Sequence, residues 1–334
     1  MDSRPSFNSL SFFLSFFLSF SPHSDLGTGT EVYDIVLSFF GDASEEVKSS
    51  AAFALGNLAA GKLNQYVPKI LQEIKQQPKK QYLLLHSLKE VINQESQKDN
   101  AKNLVPFAEE VWSILFNNCE SEEEGTRSAV AECLGKLTLI NPQKYLPTLL
   151  QNLSSKSAFT RATVVVASKF TFAAGSSEYN TLFRSLLEGI IPLTKDADLI
   201  VRRVSLQALN SAALNKPVPV RDLLQQILPA VYDANVVQKD LIKIVTMGPF
   251  KYEVDDGLDY RKAAFECLLT LLNTYHDVIG IFDFMERVQL GLQDKFDIKL
   301  LSNLILVQLC LLFPNAAVQS MSPHPFFLSS LSGD

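Results

Sequence analysis

The feature that most constrains the fold is a short pattern that returns along the chain about every forty residues. A basic residue is followed by small or apolar residues three and six positions later, as in Arg261, Ala264 and Cys267. The pattern has seven copies, the second of them weaker, which start at Lys48, Lys79, Arg127, Arg161, Arg202, Arg261 and Lys299. A period near forty is that of HEAT and armadillo units, in which each repeat contacts only its neighbours.

The spacing inside each copy predicts a helix. Positions three, six, seven and ten after the basic residue share one face of a helix with 3.6 residues per turn. Small side chains on that face let a neighbouring helix approach closely. Helix-start residues stand before several copies, as in Ser44-Glu45-Glu46, and the run from Ser121 to Glu124 has capping-box spacing.

A second helix is predicted before most copies. Three of these begin alike, with Tyr66-Val67-Pro68, Leu104-Val105-Pro106 and Tyr145-Leu146-Pro147, and proline is tolerated in a first helical turn. Neither helix alone can bury its apolar stripe, so neighbouring pairs must stack to complete a core. We therefore predict an all-α fold, a HEAT/armadillo-type α-solenoid of about seven helix pairs over residues 31–318.

Composition narrows the classes of function. A net charge of −6 and a pI near 5.4 argue against a nucleic-acid surface and suit protein partners with basic patches. The four cysteines lack C-x-x-C spacing, which disfavours a disulfide framework or zinc site and favours a reducing compartment. No P-loop, G-x-G-x-x-G or G-x-S-x-G motif occurs, so we expect no enzymatic activity, no metal and no cofactor.

The two ends of the chain differ from the repeat region. Residues 10–20 read LSFFLSFFLSF, which is too short to span a bilayer, a task that takes about 20 residues. With Arg4 before it, the run resembles the apolar part of a signal peptide, although no A-x-A-like cleavage site follows. Residues 1–30 are thus either a non-structural extension or a signal-like segment that would make the protein secreted. Residues 319–334 are expected to form a disordered tail.

One interval departs from the period. Arg202 and Arg261 are 59 residues apart, against 34, 41 and 38 for the clear single steps, which predicts an insertion. Within it, Met247-Gly248-Pro249 breaks any helix, and the next five residues alternate apolar and charged side chains. We predict a protruding extended segment or short hairpin, and the alternative is a long loop packed on its own repeat.

This insertion is the predicted partner-binding site. Its members are Phe250, Lys251, Tyr252, Glu253, Val254, Asp255 and Asp256. Phe250 and Tyr252 would be the anchors in a partner groove, because aromatic side chains flanked by charge are typical of interface hot spots. A metal or acid–base role for Asp255, Asp256 and Asp259 is disfavoured, since a turn and a helix start explain these residues as caps before Arg261. Cys133, Cys267 and Trp112 are predicted core residues.

Four stretches of sequence resemble one known family. They are residues 76–92 (QQPKKQYLLLHSLKEVI), 123–142 (EEGTRSAVAECLGKLTLINP), 201–232, and 247–272 (MGPFKYEVDDGLDYRKAAFECLLTLL), the last being the most specific. They are similar to the C-terminal part of the cullin-associated, neddylation-dissociated family, also described as TATA-binding-protein-interacting. The resemblance covers about residues 31–318, and because family members are much longer solenoids, the chain resembles a fragment.

The resemblance implies a function without bond chemistry. It implies a scaffold that binds unneddylated cullin–RING-box complexes near the adaptor-binding end and promotes substrate-receptor exchange in cullin-RING ubiquitin ligases. The implied partners are cullin and its RING-box subunit, in competition with the adaptor and substrate receptor, and not nucleic acid, membrane or a small molecule. The implied location is cytoplasmic and nuclear. The alternative is a HEAT-repeat nuclear transport receptor or another protein scaffold.

Overall fold

The computed structural model describes residues 30–97 and 101–316 and divides the chain into two compact units, residues 1–145 and 146–334. The expected tail, and the expected extension apart from Thr30, lie outside the described residues. The helices of the first unit are α1 (Thr30–Ser38), α2 (Glu45–Gly61), α3 (Leu63–Gln76), α4 (Gln81–Gln97), α5 (Ala108–Asn117) and α6 (Glu124–Thr138). Helix α7 (Pro142–Asn152) begins in the first unit and ends in the second.

The second unit is a stack of helices interrupted by one hairpin. Its helices are α8 (Ala158–Ala174), α9 (Asn180–Ile190), α10 (Leu199–Asn215), α11 (Pro217–Ala234), α12 (Leu258–Tyr275), α13 (Ile281–Gln289) and α14 (Phe296–Leu312). Strands β1 (Ile242–Met247) and β2 (Phe250–Asp255) form the hairpin between α11 and α12. The insertion predicted from the long interval is therefore confirmed.

The repeated basic residue marks the first turn of one helix in each pair. Six of the seven copies begin in the first turns of α2, α6, α8, α10, α12 and α14, and the weaker copy begins at Lys79, just before α4. In the first unit α2, α4 and α6 pack in succession, and in the second α8, α10, α12 and α14 do so. The small residues that follow the basic one are buried between these helices, as Ala264 and Cys267 are in α12.

Core predictions for single residues also hold. Cys133 and Cys267 are buried, and Trp112 is buried with its ring stacked on Tyr145 at a centroid distance of 4.2 Å. Ser44 caps α2, its hydroxyl accepting a hydrogen bond from the Val47 amide at 3.4 Å. Within the described ranges, no helix is long and apolar enough to cross a membrane.

Two predictions about helix starts were wrong. Pro68 and Pro147 lie inside α3 and α7, since these helices begin five residues earlier, where the amide of Tyr66 already donates to the Lys62 carbonyl. The capping box at Ser121 does not form. Glu123 occupies the N-cap position of α6 without a side-chain hydrogen bond to a helix amide, and the Ser121 hydroxyl accepts from the Glu123 amide to shape the preceding turn.

Candidate partner-binding site

The hairpin is a regular antiparallel pair. Its register runs from Ile242 opposite Asp255 to Met247 opposite Phe250, leaving Gly248 and Pro249 as a two-residue loop. Gly248 has φ +62°, and glycine at the first loop position is the requirement of the type II′ turn that joins twisted strands. The Gly-Pro pair therefore does more than break a helix, because it sets the register of both strands.

One face of the hairpin is apolar and open to solvent. Residues paired across an antiparallel ladder share a face, and successive residues alternate between faces. Phe250 (63% exposed), Tyr252 (50% exposed), Val245 and Val254 therefore lie on the same side, which we call the apolar face. The rings of Phe250 and Tyr252 are 6.4 Å apart between centroids. Exposed aromatic side chains grouped in this way mark interaction surfaces more often than chance exposure does.

The opposite face carries mostly polar side chains, with Ile244 among them. Glu253 and Lys251 lie on it, and the Glu253 carboxylate pairs with Lys295 Nζ at 3.1 Å, just before α14. Lys243 lies opposite Val254 and therefore on the apolar face, at the base of the hairpin, where its Nζ pairs with Asp256 at 2.6 Å. The Asp256 amide donates to the Leu241 carbonyl. These exposed pairs contribute little stability each. Phe250 and Tyr252 remain exposed beside them.

Asp255 has a structural role that the sequence did not predict. Its carboxylate is only 4% exposed and binds the buried guanidinium of Arg261, with Nη2 of Arg261 at 2.7 Å from Oδ2. A second buried carboxylate, Asp294, accepts from Arg261 Nε at 2.8 Å. The Asp255 carboxylate points into the repeat and offers a partner no exposed charge, although the residue as a whole is half-buried, so its place in the partner-binding site stays a prediction.

The protonation states in this cluster are strongly fixed. Burial alone would lower the pKa of Arg261, but the hydrogen bonds to Asp294 and Asp255 outweigh it and raise that pKa above its ordinary value. Burial would also raise the pKa of Asp294, yet the hydrogen bonds from Arg261 and the Lys295 amide hold it below its usual range. Arg261 and Asp294 are therefore both charged at neutral pH.

Asp255 belongs to a repeated turn that our sequence reasoning missed. Six residues before the basic residue, an aspartate or serine accepts a hydrogen bond from the amide two residues further on, at 2.8–3.3 Å. The residues with this role are Asp42, Ser121, Ser155, Asp196 and Asp255. Such side-chain turns are what these residue types favour before a helix. The fixed offset from the basic residue was a readable signal.

The described residues offer little for catalysis. Within the described ranges, no three His, Cys, Asp or Glu side chains are grouped so that they could hold a metal ion. All four cysteines are free, and burial raises the pKa of the Cys267 thiol to about 12 and that of Cys133 further, so neither provides a thiolate at neutral pH. The apolar face of the hairpin is the candidate functional site within the described ranges.

Comparison with known proteins gives matches whose range includes the hairpin. A family model described as TATA-binding protein interacting (TIP20) matches residues 220–330, which contain the whole hairpin. Cullin-associated NEDD8-dissociated protein 1 of Drosophila melanogaster is 46% identical over 88% of this chain and 24% of its own length. The Arabidopsis thaliana protein of that name is 44% identical over 88% of this chain and 24% of its own length.

A third relative is itself described as a part. The C-terminal part of cullin-associated NEDD8-dissociated protein 1 from Emericella nidulans is 35% identical over 84% of this chain and 27% of its own length. The chain thus spans about a quarter of the length of the curated relatives it matches.

Solved structures confirm the fold class. A mutant of the karyopherin Kap121p superposes with a TM-score of 0.58 at 12% identity, covering 90% of this chain and 32% of that one. Kap95p gives a TM-score of 0.56 at 12% identity, covering 97% of this chain and 40% of that one. The predicted HEAT/armadillo-type α-solenoid is therefore confirmed, and identities this low support the fold alone.

The sequence matches point to one similar family, whereas the structural matches support the fold alone. The family-model match covers the hairpin, and five relatives from insect, mammal, plant and slime mould are 42–46% identical over most of the chain. Over most of its length the chain is similar to the C-terminal portion of the cullin-associated NEDD8-dissociated family.

Proposed function

We propose that this chain is a non-catalytic scaffold that binds an unneddylated cullin–RING-box complex near the adaptor-binding end of the cullin. Its contact is the apolar face of the hairpin, and by occupying that end it promotes exchange of substrate receptors in cullin-RING ubiquitin ligases. The observation that carries the proposal is the exposed pair Phe250 and Tyr252, inside the range that matches the family model. The names of the relatives supply the class of partner.

The geometry favours insertion into a groove. The two strands project the aromatic rings from one side, while Asp255 ties the base of the hairpin to the scaffold through Arg261, and Asp256 pairs with Lys243 at the base of the hairpin itself. A hairpin anchored in this way loses little conformational freedom when it binds, which favours affinity. Lys251 and Glu253 lie on the opposite face and would meet the rim of a groove, where charges govern association rate more than affinity.

The proposal is tested by the affinity of the full chain for a purified, unneddylated cullin–RING-box complex, measured by biolayer interferometry. Phe250→Ala with Tyr252→Ala should weaken binding at least about thirtyfold, since anchor side chains contribute about 2 kcal/mol or more. The matched control is Phe282→Ala in α13, a phenylalanine with a similar exposure of 56% but outside the hairpin. This control should bind as the unsubstituted chain does.

Two results would count against the proposal. The first is no binding by the unsubstituted chain under conditions in which a longer relative binds. The second is equal affinity for the hairpin variant and the Phe282 control, which would show that binding uses another surface.

The exchange step needs its own assay. With a labelled adaptor–receptor complex preloaded on the cullin, the chain should accelerate release of the label, because both compete for one end of the cullin. Simultaneous binding of chain and adaptor at equilibrium, without faster release, would contradict competition.

We propose a cytoplasmic and nuclear location, supported by four free cysteines, three of them buried. Microscopy of the tagged chain tests it, and secretion with loss of the first residues would contradict it.

A further inference from the structure

The base of the hairpin rests on a buried guanidinium. Arg261, in the first turn of α12, is 1% exposed at its side chain. Its Nη1 and Nη2 donate to the two carboxylate oxygens of Asp255 at 3.2 and 2.7 Å, and its Nε and Nη2 donate to those of Asp294 at 2.8 and 2.9 Å. The Arg261 guanidinium therefore binds two carboxylates, and both oxygens of each carboxylate accept a hydrogen bond from it.

The two carboxylates come from different parts of the fold. Asp255 is the last residue of β2, and Asp294 lies in the turn between α13 and α14. Arg261 thus joins the end of the hairpin to the helix pair that follows it. A lysine could not hold both, because an ammonium lacks the planar fork that binds two carboxylates with paired hydrogen bonds.

Another repeat provides an internal comparison. Arg161 binds Asp196 of the following turn in the same bidentate way, at 2.8 and 2.7 Å. In the turn that precedes its own helix α8, however, Arg161 donates to the backbone carbonyls of Ser155 and Lys156. At Arg261 the contact to its own turn is a carboxylate on the last residue of a strand. The extra ion pair is found where a hairpin has to be held.

We propose that Arg261 is a positioning residue for partner binding: by bridging Asp255 and Asp294 it fixes the direction in which the hairpin leaves the scaffold. Among the described residues the hairpin pairs with no other strand, and its remaining ion pairs are exposed. The bridge therefore keeps the apolar face in its binding orientation before a partner arrives. This inference rests on the proposed function for its consequence in binding, but not for its consequence in the free chain.

The test compares Arg261→Lys and Asp255→Asn with Asp196→Asn, the matched control. Asp255 accepts a hydrogen bond from the Gly257 amide, and Asp196 accepts one from the Asp198 amide. Asparagine at either position keeps the side-chain oxygen that accepts this bond. Hydrogen exchange of the free full-length chain should become about tenfold faster or more in residues 242–255 for the first two variants and stay unchanged for the control. Affinity for the cullin–RING-box complex should fall about tenfold for the same two variants only.

The two readouts separate the failures. If hydrogen exchange of the hairpin is unchanged in Asp255→Asn, the positioning role is overturned. It is also overturned if Asp196→Asn loses as much affinity as Asp255→Asn does. If the Phe250 and Tyr252 variant binds normally, the proposed function fails, while the exchange result still decides whether Arg261 orders the hairpin. Should Arg261→Lys fail to fold, Asp255→Asn decides alone, since it leaves Arg261 paired with Asp294.

Discussion

Gly56 in α2 offers a test in which two physical effects oppose each other. Backbone entropy alone would make Gly56→Ala stabilise the protein by about 0.5–1 kcal/mol, because glycine loses more conformational freedom than alanine when a helix interior folds. The packing predicts the reverse. A Cβ at this position would lie 2.5 Å from Cβ of Glu90 and 2.7 Å from the carbonyl oxygen of Ser87, both on α4.

The size of this steric clash decides whether Gly56→Ala raises or lowers the free energy of unfolding. Carbon atoms rest at about 3.5–4.0 Å, so α2 and α4 would have to separate by about 1 Å. The nearest atoms belong to the backbone and the root of a side chain, which cannot turn aside. Overpacking of this kind costs about 1–3 kcal/mol, which exceeds the helix-propensity gain. We expect a net loss of about 1–2 kcal/mol in the free energy of unfolding.

The assay is urea unfolding followed by circular dichroism, with fluorescence of the single tryptophan, Trp112, as a second probe in the same unit. The control is Gly189→Ala in α9, where a Cβ would meet only the methyl ends of Leu150 and Leu153, at 2.9 and 2.8 Å. Those ends can rotate away, so Gly189→Ala should keep the stabilisation of up to about 1 kcal/mol that alanine gives in a helix and should show no loss. A Gly56→Ala variant more stable than the unsubstituted chain would refute close packing of α2 on α4.

Three further predictions follow from the same structure. Arg261→Met should lower the free energy of unfolding by about 3–5 kcal/mol, because it leaves two buried carboxylates without an opposite charge. Adding Asp255→Asn and Asp294→Asn should restore most of that loss, as urea unfolding would show. The depressed pKa of Asp294 means that its ion pair stabilises the fold above the unfolded-state pKa, near 4, and is lost as pH falls through the lower folded value. The stability difference between Asp294→Asn and the unsubstituted chain should therefore be large at neutral pH and vanish at lower pH, and a difference independent of pH would contradict the charge-based account. On α14 an apolar stripe is about half or more exposed, namely Phe296, Leu300, Leu304, Val307 and Leu311. Leu300→Gln with Leu304→Gln should reduce self-association in light scattering, and a strictly monomeric unsubstituted chain would show that the stripe does not drive association.

The repeat could be predicted from the sequence because it depends on local spacing. A basic residue followed by small residues at three and six positions fixes one face of a helix, and α12 with Arg261, Ala264 and Cys267 follows that rule. The insertion was also predictable, since 59 residues do not fit one repeat step. The extended character of residues 250–254 followed from their alternation.

Other features depend on contacts that spacing does not reveal. The burial of Asp255 requires both Arg261 and Asp294, which is 39 residues further along the chain. Strand β1 was not predicted because only its partner β2 was read for alternation, although a two-residue Gly-Pro loop calls for a strand on each side. The starts of α3 and α7 were misplaced because proline was assumed to mark a first turn, whereas Pro68 lies within its helix.

Hydrogen exchange of the chain with and without the unneddylated cullin–RING-box complex tests the central claim most directly, because it reports every segment at once. The account predicts that protection on binding is strongest in residues 242–256, on the hairpin and its base, with slower exchange in β1 and β2 than in the free chain. Protection confined to the helices, with the hairpin exchanging as fast in the complex as in the free chain, would contradict it.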